Sequence, residues 1–417
     1  MDMPATDTRW IIISPSVYVD IINEGKAMLF DTKTQTYFIS RSQKMVKLVQ
    51  RLYEPANMGA LPYNENLLND DDDIRQAIDR GILFLKNISD GGRPINLLPY
   101  INLQTDLDCD DKKKEERLKT MGNKMRFLSS VHLYLNCKLR DSQHHSMTIF
   151  RNRSYRQYPV PPYYLTNVRI SLQALNNTLD QLKVSGTAII NIIVSLEAEE
   201  QAYFTDVLGT LSLYDFKYVF NCYDEDVKCL SELLLSNRFT GDYSIVSYMD
   251  RFSHTDYLDA VRVRLQDQGV PVVFRKIVAD EEDLLDEDDD IGMLPIWTGD
   301  NEKFLWDYVM MTQEDIDNTS LSMEDIFRHI KLNASCFGVL EVLPTGNIYA
   351  QNAKVLLGNI YIDNIYHVVE KELRENTSWR VTRKETGCKE CVYRVICPPV
   401  SSFESLYKTA PKCLIKQ

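Results

Sequence analysis

Short apolar runs separated by polar turns open the chain. Arg9 to Ile13, Val17 to Asp20, Lys26 to Phe30 and Thr36 to Ser40 read as strands, the last two joined as a hairpin through Asp31 to Thr34. The period then changes. Met45, Val46, Leu48, Val49 and Leu52 recur at helical spacing from a start near Ser42 until Pro55 ends the run. A second helix is predicted after the acidic stretch Asp70 to Asp73, whose carboxylates suit the positive end of a helix, with Ile74, Ala77, Ile78, Ile82 and Leu85 turned inward.

Gly91 to Pro94 and the polar run Asp106 to Arg117 interrupt the pattern as a linker, placed at 96–125 after a first unit over 1–95. Beyond it, strand and helix alternate. Phe127 to Leu135, Ala188 to Val194, Phe216 to Phe220, Tyr243 to Tyr248 and Val270 to Phe274 are the strands. Leu172 to Leu182, Ala198 to Leu211, Asp226 to Leu235 and His254 to Gln268 are the intervening helices. This spacing implies a parallel α/β layout over 126–331, either a partial barrel or a doubly wound sheet. A final region, 332–417, begins with the hairpin pattern Cys336 to Ala350 and a helix from Ile365 to Leu373.

At 417 residues the chain is long enough for two or three cores, taking about 100–200 residues per domain. No signal peptide is expected, and no apolar run approaches the ~20 residues needed to cross a bilayer. A cytoplasmic protein with no membrane partner is the expectation. A net charge of −13 repels phosphate backbones, which argues against nucleic acid and mildly for a basic peptide. Cys109, Cys137, Cys222 and Cys229 have no pairing rhythm, as in a reducing compartment.

The remaining five of the nine cysteines fall from Cys336 onward. Cys388, Cys391, Cys397 and Cys413 have the spacing C-x2-C-x5-C-x15-C. Four thiols so placed can fold round one ion or cluster, because the first pair sits on a tight knuckle and the others return after short loops. Tetrahedral Zn²⁺ and an iron-sulfur cluster both remain open on spacing alone.

The central region resembles radical SAM enzymes in layout. In that family the loop after the first strand carries Cys-x3-Cys-x2-Cys, which holds a [4Fe-4S] cluster that binds S-adenosylmethionine. Here Cys137 stands at the first position, and Asp141 and His144 replace the other two thiols. Carboxylate and imidazole are harder donors than thiolate, so no S-adenosylmethionine cleavage is expected. The three residues are alternatively a relic Zn²⁺ or Fe²⁺ site, or a solvated loop. After the buried strand, Val194-Ser195-Leu196-Glu197 replaces the family's Gly-Gly-Glu turn, and without the glycines the backbone cannot approach a cofactor as closely.

The C-terminal region resembles the SPASM extension of peptide-modifying radical SAM enzymes. Cys336 and Gly346 match that pattern, Gln351 replaces its next cysteine, Cys388, Cys391 and Cys397 match, Ser401 replaces another, and Cys413 closes it. The resemblance implies that one auxiliary cluster has lost two ligands and stranded Cys336, while the other keeps Cys388, Cys391, Cys397 and Cys413. The stretch Cys397 to Glu404, Cys-Pro-Pro-x-Ser-x-Phe-Glu in pattern, and the whole combination resemble pseudo-radical-SAM proteins encoded beside a genuine maturase. The N-terminal unit resembles the small winged-helix domain that adds a leader peptide as an extra strand at a sheet edge. The implied fold is a degenerate radical-SAM-like partial barrel between a winged-helix-like α+β domain and a SPASM-like cysteine-rich domain. The implied function is a non-catalytic accessory protein in the maturation of a ribosomally made peptide. It would carry one [4Fe-4S] cluster, with Zn²⁺ as the alternative, and bind a leader-bearing precursor, the active radical SAM maturase, or both. An iron-sulfur or zinc oxidoreductase acting on peptides without the usual S-adenosylmethionine cluster is the alternative.

Other features carry less. Asp280 to Asp283 and Asp286 to Asp290 look like a cation site but lack the closing Glu of an EF-hand, and read as a solvated loop. Tyr155, Tyr158, Tyr163 and Tyr164 among prolines read as a structural cover, and Trp297, Trp306 and Trp379 as fillers. No phosphate-binding glycine loop or nucleophile elbow is present in the sequence.

Overall fold

The structure, a computed structural model, describes residues 8–63, 71–88, 92–94, 96, 98, 122–136, 168–185, 189–249, 255–284 and 291–406. Cys109, Cys137, Asp141, His144, the Tyr155 to Tyr164 segment, Asp286 to Asp290 and Cys413 lie outside the described residues.

The first four strands form where alternation places them, yet they divide between two sheets. β2 (Val17–Asn23), β3 (Lys26–Asp31) and β4 (Thr36–Ser40) make an antiparallel meander. β1 (Thr8–Ile13) instead lies between β5 (Ala60–Pro62) and β6 (Leu83–Ile88), two strands the hydrophobic pattern did not reveal. Helix α1 (Gln43–Tyr53) starts at Ser42, whose hydroxyl accepts from the amides of Lys44 and Met45, and ends before Pro55. Helix α2 (Asp72–Asp79) is shorter than its apolar spacing predicts. Gly81, at φ +73°, takes the left-handed conformation that stops a helix, so Ile82 falls in the turn and Leu85 in β6. Both residues still pack into the same core, with Val46, Val49, Ile74 and Ala77, which is why a helical period mimics the strand.

The centre is one sheet of nine strands in the order β12-β11-β10-β9-β8-β7-β13-β14-β15. β7 (Ser130–Tyr134), β8 (Ile189–Ile193), β9 (Lys217–Tyr223), β10 (Asp242–Met249), β11 (Val272–Val278) and β12 (Gly292–Pro295) are parallel, each beside the next in sequence. Across β7 to β12 the order runs one way, without the reversal that marks a doubly wound sheet. Helices α3 (Leu172–Leu182), α4 (Gln201–Leu211), α5 (Asp224–Ser236) and α6 (Thr255–Asp267) form the connections. They share a single core with Val131, Leu133, Ile190, Ile192, Tyr218 and Phe220, the residues on one face of the strands. The opposite face is polar in part: Glu341, His132 and Asn191 stand in register, and Tyr248 donates to Asn221 Oδ1 at 2.8 Å.

Three short helices follow, none of which the sequence pattern predicts: α7 (Glu302–Tyr308), α8 (Gln313–Asp317) and α9 (Met323–Lys331). The last two begin with reciprocal caps, Thr312 with Asp315 and Ser322 with Asp325. The chain then returns to the sheet. β13 (Val339–Val342) pairs parallel with β7, and β14 (Asn347–Ala350) and β15 (Gly358–Asn359) extend it antiparallel, so this region and the barrel strands share one sheet. Helix α10 (Ile365–Glu375) covers it, the cysteine-rich stretch follows, and α11 (Ser402–Leu406) ends the described chain. Among the described residues no helix is long and apolar enough to cross a membrane.

Candidate functional site

Cys388, Cys391 and Cys397 come together around one cavity of about 220 Å³. The knuckle forms as the spacing requires: the Cys391 amide donates to the Cys388 carbonyl at 2.9 Å, and the Cys397 amide to the Tyr393 carbonyl at 2.8 Å. Two arginines and Glu404 line the same space. Arg383 is buried; its Nη1 approaches Cys388 Sγ at 3.6 Å and Glu404 Oε1 at 2.8 Å, and its Nη2 reaches Glu404 Oε2 at 3.2 Å. Nε holds the Pro398 carbonyl at 2.5 Å, just after the third thiol. Burial alone works against the guanidinium charge, but Cys397, Glu404 and Cys388 outweigh it and hold Arg383 more firmly protonated than a free arginine.

The other arginine ties the cysteine loop to the N-terminal meander. Arg394, between the second and third thiols, donates from Nε to Asp20 Oδ2 at 2.7 Å and from Nη2 to Asp20 Oδ1 at 3.0 Å, with both side chains buried. Nη2 also donates to the Ile21 carbonyl at 3.0 Å, and Lys384 Nζ stands 3.2 Å from Asp20. Around this fork Tyr18, Met28 and Phe30 of the meander pack with Val392, Tyr393, Val395 and Ile396. Tyr37 meets Tyr393 edge to face at 5.4 Å and donates to Asp317. From α9, His329 Nδ1 lies 3.0 Å from the Val395 carbonyl, and burial lowers the proton affinity of its ring.

The meander has two unlike edges. Along β2, the Val17 carbonyl accepts from the Tyr53 hydroxyl at 2.7 Å and the Ile21 carbonyl from Arg394, so side chains cover that edge. Among the described residues β4 pairs only with β3. Its inner end is fixed to α2 by Ser40 and the Arg41 amide, both donating to Asp73, and Arg80 lies over Phe38 with 5.2 Å from its Cζ to the ring centroid.

The other candidate residues stand elsewhere. Cys336 does not line the cavity; it is buried against Ser378, and burial pushes its thiol up to about 12. Ser401 does line it, but its hydroxyl and amide both donate to Glu404. Gly346 sits at φ +83° in the turn between β13 and β14, where an added Cβ would meet Tyr361 at 2.5 Å. Asp283 turns inward and accepts from the amides of Ala279 and Asp280, so one acid of that loop is a backbone cap. Trp379 fills the core, donating to the Val339 carbonyl at 3.0 Å. Among the described residues no three His, Cys, Asp or Glu side chains converge tightly enough to hold one metal ion. Arg383, Arg394 and Asp20 went unnoticed in the sequence, where a lone arginine or aspartate has no spacing to mark it. Glu404 had a mark, as the last residue of the Cys-Pro-Pro stretch.

No family model matches the chain, and no curated protein matches it. Among solved structures it is similar to Streptococcus suis SuiB bound to precursor peptide SuiA, at 10% identity over 96% of this chain and 98% of that one, with a TM-score of 0.46. SuiB bound to S-adenosylmethionine matches at 9% identity over 96% and 97%, with a TM-score of 0.38. BtrN in complex with AdoMet and 2-DOIA matches at 13% identity over 66% and 94%, with a TM-score of 0.35.

Proposed function

We propose that the chain is a non-catalytic, radical-SAM-like accessory protein of peptide maturation. It holds one [4Fe-4S] cluster on Cys388, Cys391, Cys397 and Cys413 and offers the β4 edge to the leader of a precursor peptide. The observation that carries this reading is the shared cavity of three predicted thiols, fastened by the Asp20–Arg394 fork to a sheet whose β4 pairs only with β3 among the described residues. The Cys397-Pro398 pairing, common at iron-sulfur ligands, favours a cluster over a single zinc ion. A centre closed by four thiolates has no vacant iron, so it stiffens the tail or carries electrons. Replacement of two of three thiols by Asp141 and His144 supports the loss of S-adenosylmethionine chemistry.

The test is anaerobic reconstitution of the full chain with iron and sulfide. About four irons per chain are expected, most of them lost in Cys397→Ala, and no 5′-deoxyadenosine on adding S-adenosylmethionine and dithionite. Zinc in place of iron, or turnover of S-adenosylmethionine, overturns the reading. On adding the precursor peptide, amide exchange is expected to slow in 36–40 and not in 17–23; protection confined to β2 refutes the assignment of the edge.

A further inference from the structure

We propose that Arg383 and Glu404 are positioning residues that set the reduction potential of the thiolate centre, Arg383 by donating to Cys388 Sγ and Glu404 by partly cancelling the charge that Arg383 brings. The inference rests on reading these thiols as cluster ligands. Arg383 is built into the wall of the site: one guanidinium engages Cys388, the Pro398 carbonyl and both oxygens of Glu404. Both side chains are nearly sealed from water, at 9% and 8% exposure, so their fields at the cavity are little screened. Reduction of a cluster adds one negative charge. A buried cation hydrogen-bonded to a ligand sulfur stabilises the reduced form, and a buried carboxylate beside it opposes that effect. Glu404 in turn accepts from Ser401 through its amide at 2.8 Å and its hydroxyl at 2.9 Å, which locks the carboxylate beside the guanidinium.

A merely structural ion pair gives the same outcome whichever partner is removed; a charge-tuning pair gives opposite ones. The experiment is a mediated redox titration of the anaerobically loaded full chain, with iron content measured alongside. Glu404→Gln is expected to favour the reduced form by about tenfold, a rise of about 59 mV for one electron. Arg383→Gln is expected to shift it by a similar factor the other way, and Arg383→Lys to recover part of the loss. Equal iron content with unchanged potentials, or shifts of one sign in both variants, overturns the proposal. If Arg383→Gln does not fold, Glu404→Gln decides alone: no rise refutes it. If the unaltered chain takes up zinc and no iron, the cluster reading has failed and the inference falls with it.

Discussion

Replacing Arg394 by methionine removes the fork that holds the cysteine loop on the meander. The side chain loses contacts to Asp20 at 2.7 and 3.0 Å and to the Ile21 carbonyl at 3.0 Å, and Asp20 stays buried at 3% exposure. Breaking a buried pair by removing one partner costs about 3–5 kcal/mol, mostly the penalty of the charge left behind. Lys384 remains 3.2 Å from Asp20 but is one-third exposed, which places the expected cost at the low end, about 3 kcal/mol. Methionine roughly conserves the apolar stem, so little of this is lost packing. Because the chain has several cores, local opening is the right quantity, read by native-state hydrogen exchange. Amides of 17–31 and 391–397 are expected to lose protection together, while those of β8 and β9 keep theirs. The double variant Asp20→Asn with Arg394→Met tests the mechanism, since without the stranded carboxylate it should be more stable than Arg394→Met alone. If Arg394→Met costs under about 1 kcal/mol, or the double variant is simply additive, the buried pair is not what fastens the meander.

Three further outcomes are expected. Gly346→Ala places a Cβ at 2.5 Å from Tyr361 on backbone at φ +83°, so thermal unfolding should show a loss of about 1–3 kcal/mol. His132 is buried, and desolvation lowers its pKa to about 3, against about 6.5 in the unfolded chain. The unfolded chain therefore takes up a proton first, and stability falls as pH drops below 6.5, by about 3 kcal/mol at pH 4.5; denaturant titrations of His132→Asn should lack that slope. Asp315 and Asp325 are held below the usual carboxylate range by hydrogen bonds from Thr312 and Ser322. Their contribution to α8 and α9 is present above the unfolded carboxylate pKa and disappears as pH falls through the folded value. Faster exchange of 313–331 amides at pH 3 than at pH 6, after correction for intrinsic rates, checks this.

The sequence revealed what has a period or a fixed spacing. Met45 to Leu52 and the runs that became β7 to β11 declare their structure because one face of each is buried, and the knuckle of Cys388 and Cys391 declares itself by its two-residue gap. What it concealed depends on contacts between distant segments. The separation of β1 from the meander is decided by partners at Ala60 and Leu83, strands too short or too irregular to signal themselves. Ile82 and Leu85 fit a helical stripe, and only Gly81 at positive φ puts the one in a turn and the other in a strand. Likewise Arg394 and Asp20 acquire meaning only once the chain ends meet, and Arg383 only once the cysteine loop folds back on Glu404.

That meeting spans 374 residues, from Asp20 to Arg394. On a ribosome adding about 5–20 residues per second, Tyr18, Met28 and Phe30 emerge on the order of 20–75 s before the residues that cover them. The nascent meander therefore spends most of its synthesis with that apolar flank bare. Arrival of the last loop ends that exposure.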